Sequence, residues 1–297
     1  MREYLIHFFD EFSYAKRDAK VLLSAYDTIT SDEEAKKVWN TLMSAYRENI
    51  HCDYDRLRSD IRLAAERLKL HSYTAELLLF IGLSRYMREK YIEKGLPEEI
   101  FRNTILDLRY KLEECREVYG ICGSFVGDWF PGFFRLSRFA LGRLQFELVP
   151  FQNVYHKNGH KLQEDSLVMN IHIPRTGTPL DTVRCDNSFR QAAAFFRKEL
   201  EGKEKAFVCH SWLLYPAHRE FLPAHSNLLA FMNRFDIFSQ GEFGENHPDL
   251  WRLFDRMYTG DPGTLAYDTS LRKAYVDRLR MGGKTGWGYG VFFYSDI

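Results

Sequence analysis

The chain has 297 residues, enough for one large or two ordinary domains, and its 45% hydrophobic and 28% charged content is that of a packed protein, which excludes a disordered chain. Forty-one basic residues balance forty-one acidic ones, and residues 1–118 carry 20 and 22 of them, so neither half has the basic excess of a nucleic-acid binder. Five scattered cysteines without a CxxC pair argue against a disulfide framework or a zinc ribbon, no apolar run approaches the ~20 residues of a membrane span, and the chain opens on no leader, so a soluble cytoplasmic protein is expected.

Residues 1–118 are expected to form a helical bundle domain of about five helices. Ser31-Asp32-Glu33-Glu34 has the form of a capping box ahead of Ala35, Val38, Trp39, Leu42, Met43 and Tyr46, which recur at helical spacing. Further stripes run through Leu57, Ile61 and Ala65, then through Leu77, Ile81 and Tyr91, and a last helix opens near Pro97 with Glu98 and Glu99 in its first turn. Such a domain also offers a lid or a homodimer surface. Gly120, Gly123, Gly127, Pro131 and Gly132, mixed with Trp129, Phe130, Phe133 and Phe134, mark an interdomain seam, so a second domain is expected over 119–297.

In that second domain Arg143 to Leu148 alternates as a half-buried strand with Arg143, Gln145 and Glu147 on one face, and Asn158-Gly159 predicts a hairpin turn. Leu167 to Ile173 alternates as a further strand, ended by Pro174 and Gly177. A helix follows, with Asp186, Asn187 or Ser188 as N-cap and Phe189, Ala192, Ala193 and Phe196 on its apolar face. Ala206 to Leu214 is long and apolar enough for a strand buried on both faces, and Ser226 caps a helix through Phe235. Two buried strands joined by a helix predict a right-handed parallel crossover, with ligands at the strand ends beside a helix N-terminus. Ser270 to Leu279 predicts another helix. Glycines at 282, 283, 286, 288 and 290, interleaved with Trp287, Tyr289, Val291 and Phe293, predict a final strand.

This order of elements resembles the GNAT-type N-acyltransferase fold. Ser226-Asn227-Leu228-Leu229-Ala230 looks like the Asn-x-x-Ala start of that fold's helix after its fifth strand. The pieces Gly142 to Glu147, His172-Ile173-Pro174, Ser211 to Leu214 and Thr269-Ser270-Leu271 resemble bacterial acyltransferase-like proteins that pair a helical N-terminal domain with a GNAT-like C-terminal domain, along nearly the whole chain. The resemblance implies an α+β protein: a helical N-terminal domain, then a GNAT-like mixed-sheet domain. It implies acyl-CoA as co-substrate, no metal, and a small-molecule amine or peptide as acceptor, with neither nucleic acid nor membrane as partner. It places the cofactor at Ile173, Gly177, Ser188 and Asn227, with an N–H of the fourth strand as oxyanion donor. The sequence departs from the pattern at two places. The phosphate loop, read from Pro174 to Asn187, has Gly177 as its one glycine and carries Asp181 and Asp186, while Arg234 stands where the fold often has a tyrosine acid.

Acyl transfer to an amine needs a base, and two residues qualify. His172 ends the fourth strand, and imidazole titrates near neutrality; Glu147 lies on a polar strand face. Each has a plainer alternative, a hydrogen-bonded structural histidine beside Pro174 and an ion pair with Arg143. Asn227 also suits an N-cap, and His210 is expected to be buried near Trp212. His156 and His160 share metal-pair spacing across a turn, Cys209-His210-Ser211 lacks a nucleophile elbow, and Arg135, Arg138 and Arg143 suit ion-paired faces better than a phosphate. Two functions follow: direct acyl transfer from CoA to an amine, or a non-catalytic GNAT-like module that binds a small molecule or protein.

Overall fold

The computed structural model of the chain describes residues 1–157 and 159–294 and divides into two compact units, Met1–Phe139 and Ala140–Ile297. The first is helical: α1 Arg2–Glu11, α2 Lys16–Ser31, α3 Glu33–Glu48, α4 Tyr54–Arg67, α5 Ser72–Glu93, α6 Glu98–Ile105, α7 Asp107–Tyr119 and a single turn, α8 Pro131–Phe134. Among them α5 is the hub, since the stretch from Thr74 to Ser84 is buried without interruption and a helix apolar all round must be enclosed by others. At its centre Gly82 lets the Trp39 indole close in, because a Cβ there would lie 2.8 Å from the ring.

The bundle has more helices than expected, because the segment ahead of Ser31 forms α1 and α2 and the run after Pro97 breaks in two at Leu106. The capping residue of α3 is Asp32, whose carboxylate accepts from the Ala35 N–H at 2.9 Å, and Ser31 closes α2 instead. The glycine-aromatic segment read as a seam from 119 packs inside the helical unit: Phe130 and Phe134 lie 5.0 Å from the Phe80 ring, centroid to centroid, and all three are fully buried. The division into compact units therefore falls at 139/140 rather than at 118/119.

In the second unit the elements are β1 Arg138–Leu141, which begins in the last residues of the first, β2 Leu144–Pro150, β3 Tyr155–Lys157, β4 His160–Leu162, β5 Leu167–His172, α9 Thr182–Phe195, β6 Ala206–Ser211, α10 His218–Phe221, α11 Asn227–Met232, β7 Asp236–Glu242, α12 Trp251–Phe254, α13 Ser270–Arg280 and β8 Gly286–Phe293. Six strands form one sheet in the order β1-β2-β5-β6-β8-β7, with β3 and β4 as a separate hairpin. Of the residues read as the hairpin turn, Asn158 lies outside the described ones, and the strands on either side pair antiparallel. The predicted crossover is present: β5 and β6 are parallel and α9 joins them, its Phe189 packing on Phe146 and Phe207. On the opposite face Phe151, Val168, Ala206, Val208 and Val291 make a second core with Tyr155 and Leu162 of the hairpin.

Behind β8 a third cluster holds His218, fully buried among Trp212, Tyr215, Phe221 and Tyr275, with Nε2 hydrogen-bonded to the Tyr275 hydroxyl. Burial pushes the imidazole down to about 4 from an ordinary 6.5. Between those values the unfolded chain binds a proton that the native fold refuses, so the stability that neutral His218 confers is complete above pH 6.5 and lost as pH falls through 4. The expected loss is about 3 kcal/mol. Urea unfolding at pH 7.5 and 4.5 checks it: His218→Gln is expected to lose clearly less stability between the two than wild type, and equal losses would refute the assignment.

Candidate active site

The central strands stop pairing early. In the parallel β5–β6 pair the partners are Met169 with Phe207 and Asn170 with Val208; beyond them Ile171 and His172 on β5, and Cys209 to Ser211 on β6, run on as the two strands part. A splay between central strands is a place where an extended ligand can pair with backbone.

Both candidate bases stand at this opening, and they touch. Antiparallel pairing of β2 with β5 sets Glu147 opposite Asn170 and Gln145 opposite His172. Glu147 Oε1 lies 2.6 Å from His172 Nε2, with the two side chains only 15% and 16% exposed. The Asn170 amide donates to the same carboxylate oxygen at 3.3 Å. With Glu147 ionised, its carboxylate accepts from an Nε2–H, the tautomer in which Nδ1 keeps the lone pair; the Asn170 amide lies 3.3 Å from the same Nε2. The Arg143 guanidinium donates to the carbonyls of Pro174 and Thr178, at 2.9 and 3.0 Å. Those bonds strap down the loop that follows β5.

That loop departs from its sequence reading. Helix α9 begins at Thr182, capped by Asp181, whose carboxylate accepts from the Arg184 N–H at 2.9 Å; the loop therefore ends six residues before Asn187. Thr182, Val183 and Arg184 are exposed, so the first turn shows no apolar periodicity. Ser188, expected at the helix start, is interior and fully buried: its hydroxyl donates to the Arg184 carbonyl and accepts from the Arg143 N–H at 2.7 Å. Gly177 holds φ +75° with open space around it, and Arg175 is tied to Asp255 at 2.7 Å. The two carboxylates read into the loop are both ion-paired, Asp181 at the cap with Arg184 and Asp186 inside α9 with Arg234 at 2.6 Å, and the Arg184 N–H holds Asp181 below the usual carboxylate range. Asn227 is exposed at the first position of α11, where Ser226 supplies the cap.

The other sequence candidates separate as follows. His156 pairs with Lys161 and His160 with Lys157, so the two imidazoles leave opposite faces of the hairpin, and His160 lies 2.9 Å from Glu204. Among the described residues no three His, Cys, Asp or Glu side chains are grouped to hold a metal ion. Cys209 is fully buried, and burial pushes its thiol up to about 12, which keeps it from acting as a thiolate. Arg135 and Arg138 lie over the rings of Tyr54 and Trp129. His210 is exposed rather than buried, and its ring faces Trp287 and Tyr289, not Trp212. No helix among the described residues is long and apolar enough to cross a membrane.

A mixed sheet with a parallel, splayed central pair, a crossover helix between those strands and a polar dyad at the opening defines the GNAT-like acyltransferase class. The comparisons agree. Residues 138–292 match the GNAT-like C-terminal domain and residues 3–136 the N-acyltransferase N-terminal domain, so the chain belongs to the GNAT-like acyltransferase family that joins these two domains. An acyltransferase crystallised with decanoyl-CoA shares the fold, with a TM-score of 0.74 and 19% identity over 97% of this chain and 86% of its own. An acyltransferase in complex with decanoyl-CoA and teicoplanin gives 0.71 at 19% identity over the same shares, and a mutant acyltransferase with octanoyl-CoA gives 0.74 at 20% identity over 99% and 88%. No curated protein matches the sequence.

Proposed function

We propose that the chain moves an acyl group from acyl-CoA to the nitrogen of an amine, and the observation that carries this reading is the Glu147–His172 pair at the mouth of the β5–β6 splay. Pantetheine amides would lie along the strand ends, beyond the last paired residues of β5 and β6. The CoA phosphates would meet the loop around Gly177 and the positive end of α9, where Arg184 and Arg234 offset the charge of Asp181 and Asp186. Ser188 is too deep to reach them and acts by anchoring the Arg143 turn. Asn227, exposed at the start of α11, would touch the far end of such a ligand.

His172 takes the ammonium proton at Nδ1 while Glu147 fixes the tautomer and steadies the imidazolium. The neutral amine attacks the thioester carbon, the Ile173 N–H stabilises the oxyanion, and collapse breaks the C–S bond as the second amine proton passes from nitrogen to the departing sulfur, giving the amide and CoA thiol. A thiolate is a good leaving group, with the acidity of an ordinary thiol, so expulsion does not require the tyrosine that Arg234 replaces. Relatives of the same fold hold octanoyl- and decanoyl-CoA, which supports a medium-chain donor.

Calorimetric titration with acetyl-, octanoyl- and decanoyl-CoA, and with pantetheine analogues lacking the phosphates, tests the reading. Saturable binding of an acyl-CoA, weakened about tenfold or more without its phosphates, is expected. An absence of binding across the panel would leave a GNAT-like scaffold without transferase function.

A further inference from the structure

The glycine-aromatic run of β8 has a use that the proton-transfer dyad does not exhaust. Gly286, Gly288 and Gly290 fall on one face of the strand, and that face has no room for side chains: a Cβ at Gly288 would lie 2.2 Å from the Leu214 carbonyl oxygen, one at Gly286 2.2 Å from the Gly241 carbonyl oxygen, and one at Gly290 2.7 Å from Phe235 Cβ. Alternation then sends Trp287 and Tyr289 to the other face, which is the face of His172. The registers establish this: Glu147 is opposite Asn170, Asn170 is beside Val208, and Val208 and His210 pair with Val291 and Tyr289.

On that face three rings meet and stay partly open to solvent. The His210 ring centroid lies 4.6 Å from that of Trp287 and 5.8 Å from that of Tyr289; His210 is exposed and the other two are half-buried. The Trp287 indole packs over its β7 partner Gly241, where a Cβ would sit 2.7 Å from the ring, and tilts 47° to the His210 ring. Tyr289 is backed by Phe238, at 4.7 Å, within the irregularity between Ile237 and Ser239. Rings held this way are a rigid surface, with little rotamer freedom left to lose when something stacks on them.

We infer that Trp287, His210 and Tyr289 form an acceptor subsite, a shelf for an aromatic ring carried several bonds from the reacting amine; this rests on the transferase reading above. The spacing sets the tether. Adjacent strands lie about 4.8 Å apart, so β8 is about 10 Å from β5, and the parting of β5 from β6 widens that gap. An amine attached directly to its ring cannot reach both places, whereas a tethered one can. The shelf binds and orients; proton transfer stays with His172.

Acylation of benzylamine, phenylbutylamine and phenylhexylamine, beside butylamine and hexylamine, with octanoyl-CoA as donor, tests this directly. In wild type kcat/KM is expected to rise with tether length in the phenyl series and to exceed that of hexylamine by about tenfold for the longest member. Trp287→Leu is expected to collapse that ratio toward one, while Trp287→Phe keeps part of it. Equal rates for phenyl and alkyl amines at every tether, or an aryl preference that survives Trp287→Leu, would overturn the shelf. Calorimetry with octanoyl-CoA separates the two failures: if the donor binds and hexylamine is acylated without aryl preference, only the shelf falls, whereas a donor that does not bind removes the transferase reading beneath it.

Discussion

His172→Gln is expected to lower kcat for amine acylation by about 10²- to 10⁴-fold while acyl-CoA affinity stays within about threefold of wild type. The reasoning starts from the protonation state in which the acceptor arrives. A primary alkylamine at neutral pH is an ammonium ion, and the nucleophile does not exist until its proton is removed. In the proposed mechanism the base is His172 at the end of β5, held by a carboxylate 2.6 Å away that also accepts from the Asn170 amide. Glutamine keeps much of the side-chain volume and a hydrogen bond to Glu147 but cannot accept the proton, so the loss falls on kcat rather than on donor binding. Glu147→Gln acts through the imidazole and is expected to cost less, and the double variant should be little worse than His172→Gln alone, since the two work as one unit. Single-turnover acylation with each variant, beside calorimetry for the donor, reads all three quantities. If His172→Gln retains more than about a third of wild-type kcat, the imidazole is structural and the base lies elsewhere.

What the sequence revealed of this site follows from the range of the interactions. The strand over Leu167 to His172, the crossover helix and the buried run from Ala206 are written in local periodicity and were legible, down to their parallel pairing. So were the glycines of β8, though not the close approaches of Leu214, Gly241 and Phe235 that require them. Helix α9 shows the limit of a local reading. Asp181 caps it from outside the apolar stripe, and because the first turn is exposed the periodic signal begins only at Cys185, which drew the expected start to Ser188. His210 shows another. An apolar run predicts burial, but the strand leaves its neighbour at Val208, and a residue two places on is exposed for reasons set by the sheet. The meeting of Glu147 with His172 depends on the β2–β5 register, which no single stretch encodes; each residue was nameable, but their contact was not.

The second large effect lies in the helical unit. Glu76→Ala is expected to destabilise it by about 3–5 kcal/mol. Glu76 projects from α5 with none of its surface exposed, and its carboxylate is met by two guanidinium groups from α4: Arg58 through Nε on one oxygen, and Arg62 through Nε at 2.8 Å and a terminal nitrogen at 2.5 Å on the other. Gly127 completes the enclosure, since a Cβ there would overlap the carboxylate. Desolvating such a group is costly, and the fold tolerates it only because both oxygens are paired. Removing the carboxylate strands Arg58, which is only 13% exposed and keeps just an exposed Asp55 beside it at 3.4 Å. Arg62 is 43% exposed and can turn to water, so Arg62→Ala should cost no more than about 1 kcal/mol. Replacing Glu76 and Arg58 together, as Glu76→Leu with Arg58→Met, should recover much of the loss, because it removes both charges rather than leaving one unpaired. Urea unfolding of the four proteins gives the comparison. If Glu76→Ala costs less than about 1 kcal/mol, or the double variant is no more stable than Glu76→Ala, the carboxylate is not the tie between α4 and α5 that its burial implies.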